Sequence, residues 1–198
     1  MSAARNTVNL ETDLLILGGA ALAAREAGVR TLVVDKGKLE SSGCLGGGND
    51  HFMAVLGTGE PDDTVDDLVK YYLKPCSGFT EHMLREWGRA MPYMVSFLEG
   101  LGVRFIHRAD GSYLRTAGRG EPAWHINIAE GQRIKRLVAA CLRGRGADVL
   151  DHVMITRLLV RDGRVVGAMG YGVLDGTCYV ISAASVILAL GNSCNRAT

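Results

Sequence analysis

The sequence predicts an α/β fold: a doubly wound parallel sheet with an antiparallel β-meander. Three observations predict it. A short apolar run ends in Gly18-Gly19, a helix-forming stretch follows, and a second apolar run ends in Asp35. Two Asp-Gly pairs, Asp162-Gly163 and Asp175-Gly176, separate apolar runs and read as hairpin turns. A last apolar run, Val186 to Leu190, is closed by Gly191.

Taken in order, Asp13-Leu14-Leu15-Ile16-Leu17 is a continuous apolar run, the pattern of a parallel strand covered on both faces. Ala20 to Ala27 holds strong helix formers and stops at Gly28, suited to the residue after a helix. Thr31-Leu32-Val33-Val34 is the second strand, and Ser41 to Gly48 is a glycine-rich loop. Asp62 or Asp63 is expected to cap a helix that runs through Leu73, with acidic residues in its first turn. Thr80 caps the next helix, toward Ala90, and Pro92 opens another that ends near Gly100. Val103 to Ile106 reads as a short strand, and Arg108 to Trp124, rich in Gly, Arg and Pro, as loop. From Gly131 to Leu142 the apolar residues Ile134, Leu137, Val138 and Cys141 recur at helical spacing. Val153–Val160, Val165–Val173 and Thr177–Ser182 are the meander strands, and Val186–Leu190 is a last buried strand.

A chain of 198 residues is long enough for one large domain or two small ones. With 47% hydrophobic and 22% charged residues the composition is globular, and 26 glycines leave many positions for close backbone approach. A formal net charge of +1 gives no electrostatic case for nucleic acid or an acidic membrane surface. The five cysteines include no C-x-x-C pair, which argues against a disulfide scaffold or a zinc site and for a reducing, cytoplasmic setting. The five histidines are scattered, so no metal site is expected. No leader peptide is read at Met1 to Thr12, and no apolar run is long enough to predict a membrane span.

The order of parts has a chemical meaning. Glycines after a first strand let the backbone approach a pyrophosphate, and the following helix start offers free N–H donors. A carboxylate at the end of the second strand, here Asp35, can accept hydrogen bonds from ribose hydroxyls. Four segments then carry a family resemblance. They are Asp13 to Gly19, Val33-Val34-Asp35-Lys36-Gly37, Ser42-Gly43-Cys44-Leu45-Gly46-Gly47-Gly48, and Val186 to Gly191. In this order, with the meander between the last two, they resemble the FAD-contact segments of the fumarate reductase/succinate dehydrogenase flavoprotein superfamily. Within it they look most like the adenylylsulfate reductase flavoprotein subunit.

The resemblance implies a partial FAD-binding domain over residues 1–198, with the capping and C-terminal domains absent, so no catalytic residue carries over. It implies that Gly18 and Gly19 line the pyrophosphate, that Asp35 holds the adenosine ribose, and that Lys36 follows it. Ser42, Gly43, Gly46, Gly47 and Gly48 would lie along the isoalloxazine and its chain, backbone near Met154 would touch adenine, and Ala189 and Gly191 would close over the cofactor. Gly43 stands where some members have the histidine that bonds flavin, so FAD would be held non-covalently. The implied function is an FAD-dependent oxidoreductase passing electrons between a small substrate and an iron–sulfur or other electron-transfer subunit. The alternative is a remnant that keeps the fold with little or no FAD binding and no catalysis. Two departures favour it: Gly19 runs directly into Ala20, with Asp35 only 17 positions beyond Gly18, and the C-terminal half that the resemblance implies is missing; Leu190 stands where the family usually has threonine. NAD binding by an ordinary Rossmann domain is a weaker alternative, opposed by the second glycine loop and the meander. Cys44 reads as a small buried residue, Arg104, Arg108, Arg115 and Arg119 as a solvated loop rather than an anion site, and His125 as structural rather than a proton donor.

Overall fold

The computed structural model describes residues 6–18, 28–75, 77–118 and 120–191. The chain divides into two compact units: residues up to Gly47 together with those from Val138 onward, and the intervening Gly48–Leu137. The predicted helix from Ala20 to Ala27 lies outside the described residues.

The first unit is built on a six-stranded sheet. Its strands are β1 (Thr7–Gly18), β2 (Thr31–Val34), β7 (Asp148–Leu150), β8 (Val153–Arg161), β9 (Arg164–Gly172) and β10 (Cys178–Ala189), in the spatial order β7-β2-β1-β10-β9-β8. β7, β2, β1 and β10 are mutually parallel, whereas β8, β9 and β10 form the antiparallel meander. Side chains alternate across the sheet, so each strand feeds two cores. Leu14, Ile16 and Val33 pack with Leu39, Ala147 and the Ala139 and Leu142 side chains of helix α3 (Ile134–Gly144). On the other face Leu15, Leu17, Leu32 and Val34 meet Val153, Ala168, Ile181 and Ala183 of the meander. Burial of each of the Leu, Ile and Val side chains contributes about 1.5–3 kcal/mol. At the entry to β2 the Arg30 guanidinium donates to both Asp13 carboxylate oxygens, at 2.7 and 3.0 Å, and holds that carboxyl below its usual range.

Two strand expectations change. The predicted runs Thr177–Ser182 and Val186–Leu190 are one strand, β10, because the polar start of β1 pairs with it from Thr7↔Cys178 and gives it a continuous partner to Gly18↔Ala189. Its last part and the residue after it are also not buried: β9 leaves β10 at Ser182, and Ile187, Leu188 and the following Leu190 are 41, 55 and 68% exposed.

The second unit holds β3 (His51–Met53), β4 (Arg104–Phe105), β5 (Arg115–Thr116) and β6 (His125–Ala129), with β6 pairing to all three others. β3 and β5, three and two residues long, are too short to show a periodicity, so β5 falls inside the Arg108–Trp124 segment expected to be loop, whereas the five residues of β6 alternate in burial as a strand does. Two helices complete it, α1 (Val65–Tyr72) and α2 (Glu81–Gly100). Thr64, not Asp62 or Asp63, is the N-cap of α1; it forms a reciprocal capping box with Asp67. Thr80 caps α2 as expected, but Pro92 lies inside that helix instead of opening a new one. Leu84, Gly88, Met91, Val95 and Leu98 form one buried stripe through the proline, and this continuous burial holds both halves on one axis.

Candidate functional site

The tips of three parallel strands define one edge of the first unit's sheet. β1 lies between β2 and β10, with Leu17 opposite Val34 and Gly18 opposite Ala189. Ligands of open α/β sheets bind outside the carboxyl ends of the strands. Gly18 has φ 104°, and a Cβ there would sit 2.1 Å from the Ala189 carbonyl oxygen, so only glycine lets the neighbouring strand approach. Gly19 lies outside the described residues. Ala189 is half-buried, while Gly191 is exposed with φ 79°.

Asp35 follows β2 directly and is half-buried. Its Oδ1 accepts the Gly37 N–H at 2.9 Å and its Oδ2 accepts the Ser42 hydroxyl at 2.6 Å. Each carboxylate oxygen has two lone pairs, so each keeps one acceptor position for a further donor. That capacity fits a ribose with two free hydroxyls. Gly37 is half-buried and Lys36 exposed.

Backbone and side-chain bonds hold this segment along the turn between β7 and β8. Asp35 N–H donates to Leu150 O at 3.1 Å, Val153 N–H to Asp35 O at 3.0 Å, and His152 N–H to Gly37 O at 3.0 Å. Leu39 N–H donates to Asp151 Oδ1 at 2.8 Å, and Arg143 of α3 reaches both Glu40 and Asp151. Burial pushes the Glu40 carboxyl up, but its own backbone N–H and the nearby Arg143 and Lys38 outweigh it and hold the group below its usual value. Asp151 and Arg143 were not legible as site-forming residues: they stand more than a hundred positions from the loop they fasten, and no local pattern marks them. The same ties bring Met154, 40% exposed and accepting the Tyr171 hydroxyl on its Sδ at 3.3 Å, next in chain to a residue bonded to Asp35.

In the second glycine loop the N–H groups of Ser41 and Ser42 both donate to Lys38 O, at 2.9 and 2.8 Å, which turns the chain back toward Asp35. Cys44–Gly47 then makes one 3₁₀ turn. Gly43 and Gly47 have open space where a side chain would stand, and Gly46 packs on the Ser41 carbonyl. Cys44 is exposed, against expectation, because this short turn buries none of its residues. Gly48 belongs to the second unit, where a Cβ would lie 2.7 Å from Gln132 Cα.

Within the second unit, three sequence expectations meet different fates. Arg115 is not part of a solvated loop: it is buried against Asp63 with N–O distances of 2.6 and 3.3 Å. Arg104 and Arg108 pair with Glu130 and Glu60 on the surface, and Arg119 lies outside the described residues. His125 is not isolated; its Nε2 lies 2.6 Å from Glu121 Oε2, and its ring meets that of His51 edge-on with centroids 4.5 Å apart. Glu121 also accepts the Tyr72 hydroxyl, and burial together with that carboxylate raises the Tyr72 pKa. Among the described residues no cluster of His, Cys, Asp and Glu could hold a metal ion, and no helix is long and apolar enough to cross a membrane.

Residues 17–197 match the family described as the FAD binding domain. The chain is 29% identical over 201 residues to a fumarate reductase (CoM/CoB) subunit of Methanothermobacter marburgensis, covering 92% of this chain and 35% of that one. It is 27% identical over 192 residues to the alpha subunit of the adenylylsulfate reductase of Megalodesulfovibrio gigas, covering 84% and 27%. A solved adenosine-5-phosphosulfate reductase superposes with a TM-score of 0.78 at 28% identity, over 93% of this chain and 31% of that one. The chain thus spans about a third of the length of these relatives.

Proposed function

Because the chain belongs to the FAD binding domain family, we propose that it is the FAD-holding portion of an oxidoreductase that passes electrons between a small substrate and an electron-transfer partner. The observation that carries this reading is the common edge formed by the tips of β1, β2 and β10, with the Asp35 carboxylate beside it and an acceptor position free on each oxygen. Bound there, FAD would supply hydride or electron-pair transfer at the flavin, which these residues orient. Asp35 would accept the ribose hydroxyls, Gly18 and Gly19 would line the pyrophosphate, and backbone near Met154 would face adenine. Gly43, Gly46 and Gly47 would border the chain toward the flavin ring, and Ala189 and Gly191 would close the site.

The two reductase relatives are subunits of larger enzymes by name, which supports a partner protein; we assign it an iron–sulfur or comparable electron carrier. The test of cofactor binding is a titration of the purified chain with FAD, followed by flavin fluorescence and visible absorbance. One equivalent is expected to bind, and acid or denaturant should then release all flavin, since Gly43 offers no side chain for a covalent bond. A colourless protein that leaves added FAD fluorescence unquenched would exclude the reading. That outcome would favour the second one, a fold retained without its cofactor, which the short Gly18-to-Asp35 spacing supports.

A further inference from the structure

We infer that Ser42 is a positioning residue, which serves the cofactor by orienting Asp35 rather than by touching the flavin portion itself. The inference rests on the ribose reading of Asp35. Ser42 is seven positions from Asp35, yet its hydroxyl reaches the carboxylate Oδ2 at 2.6 Å. A short bond to a charged acceptor is of the stronger kind. The opposite oxygen, Oδ1, accepts the Gly37 N–H at 2.9 Å, so the carboxylate is gripped from both sides and its plane is set.

Two further features make this clasp a built one. The paired N–H bonds of Ser41 and Ser42 to the Lys38 carbonyl fold the chain so that Ser42 returns to the strand end. Gly37 leaves room for it: a Cβ at position 37 would lie 3.2 Å from Ser42 Cβ, tighter than ordinary van der Waals contact, and 3.8 Å from Asp35 Oδ1. The loop backbone is itself anchored by Leu39 on Asp151, so the hydroxyl is presented from a held segment. With the hydroxyl committed to donating toward Asp35, what remains of it is acceptor capacity. Its consequence for a ligand is the direction of the two free acceptor positions on Asp35. A pre-set carboxylate binds a ribose diol without having to order itself first.

The experiment is a double-mutant cycle read by FAD fluorescence quenching on the full chain, with wild type, Ser42→Ala, Asp35→Ala and the double variant, and Ser42→Thr as the conservative control. Flavin mononucleotide, which lacks the adenosine ribose, is the second probe. Ser42→Ala is expected to weaken FAD about fivefold to tenfold, the size of effect that one ordinary hydrogen bond carries. In the Asp35→Ala background the same change should have no further effect, and Ser42→Thr should restore affinity to within about twofold of wild type. Flavin mononucleotide affinity should not respond to Ser42→Ala. Gly37→Ala, which crowds Ser42, should reproduce the FAD loss if the variant melts as wild type does. An equal loss from Ser42→Ala with and without Asp35, or a loss toward flavin mononucleotide, would overturn the inference and place Ser42 on the cofactor. Unchanged FAD affinity in a folded Ser42→Ala protein would overturn it as well. Failure of the wild type to bind FAD is a different result, which removes the ribose reading itself.

Discussion

Asp63 shows how one side chain can hold a loop, a helix start and a strand together. Its carboxylate accepts the N–H groups of Leu56 and Thr58 at 2.9 Å each, the Thr58 hydroxyl at 2.7 Å, and the Arg115 guanidinium at 2.6 Å. Burial pushes the carboxyl up, but Arg115 and the Thr58 and Leu56 donors outweigh it, and the group lies below its ordinary value. A carboxyl depressed on folding contributes stability above its unfolded value of about 3.9, and that stability is lost as pH falls through the folded value. Asp63→Asn leaves Arg115 buried without its counter-charge and is expected to destabilise the chain by about 3–5 kcal/mol at neutral pH. In urea denaturation the gap between wild type and variant should narrow as pH falls below about 4. A gap that stays constant with pH would show that the ion pair contributes no pH dependence. Both partners were visible in the sequence, but their contact was not. Asp63 looked like a helix cap and Arg115 like a loop cation because their separation of 52 positions hides the pairing.

Helix α2 was the element whose sequence pointed two ways. Thr80 marks its start, and the side chain accepts the Met83 N–H at 3.2 Å, as N-caps do. Pro92 has no N–H to give and its ring crowds the preceding turn, the ordinary signature of a helix start. The structure keeps the helix intact across it, with Pro92 exposed and the usual bond to the carbonyl four residues back, that of Gly88, absent. Pro92→Ala restores that bond, so it is expected to raise stability by about 1–3 kcal/mol. Thr64→Ala, which removes the capping box of α1, should lower it by about 1 kcal/mol. Thermal melts of the two variants check both, and a Pro92→Ala protein that melts below wild type would mean the proline has a packing role. The meander elements were plainer. At the first turn Asp162 and Gly163 have φ 50° and 73°, the paired positive angles that a tight hairpin needs, and Asp-Gly announces them locally.

For the whole molecule, a cofactor that binds only the folded chain must stabilise it. FAD at a hundred times its dissociation constant would add about 2.7 kcal/mol, which for a chain of this size raises Tm by about 5–11 °C. Differential scanning fluorimetry with and without FAD reads this shift, and Asp35→Ala should reduce it at the same FAD concentration. An unchanged Tm for the wild type would oppose cofactor binding. The sequence alone determined the parallel strand pair, the meander and the family, because continuous apolar runs, Asp-Gly turns and ordered glycine segments are all local signals. It also placed Asp35 at a strand end, since the acidic residue follows its apolar run directly. Only tertiary structure decided that β10 is one strand, that its end is exposed, that Arg115 is buried, and that Ser42, Asp151 and Arg143 serve the loop around Asp35. All but the Ser42 bond, which closes over seven positions, depend on contacts between residues far apart in the chain, and neither kind of contact leaves a periodicity to read.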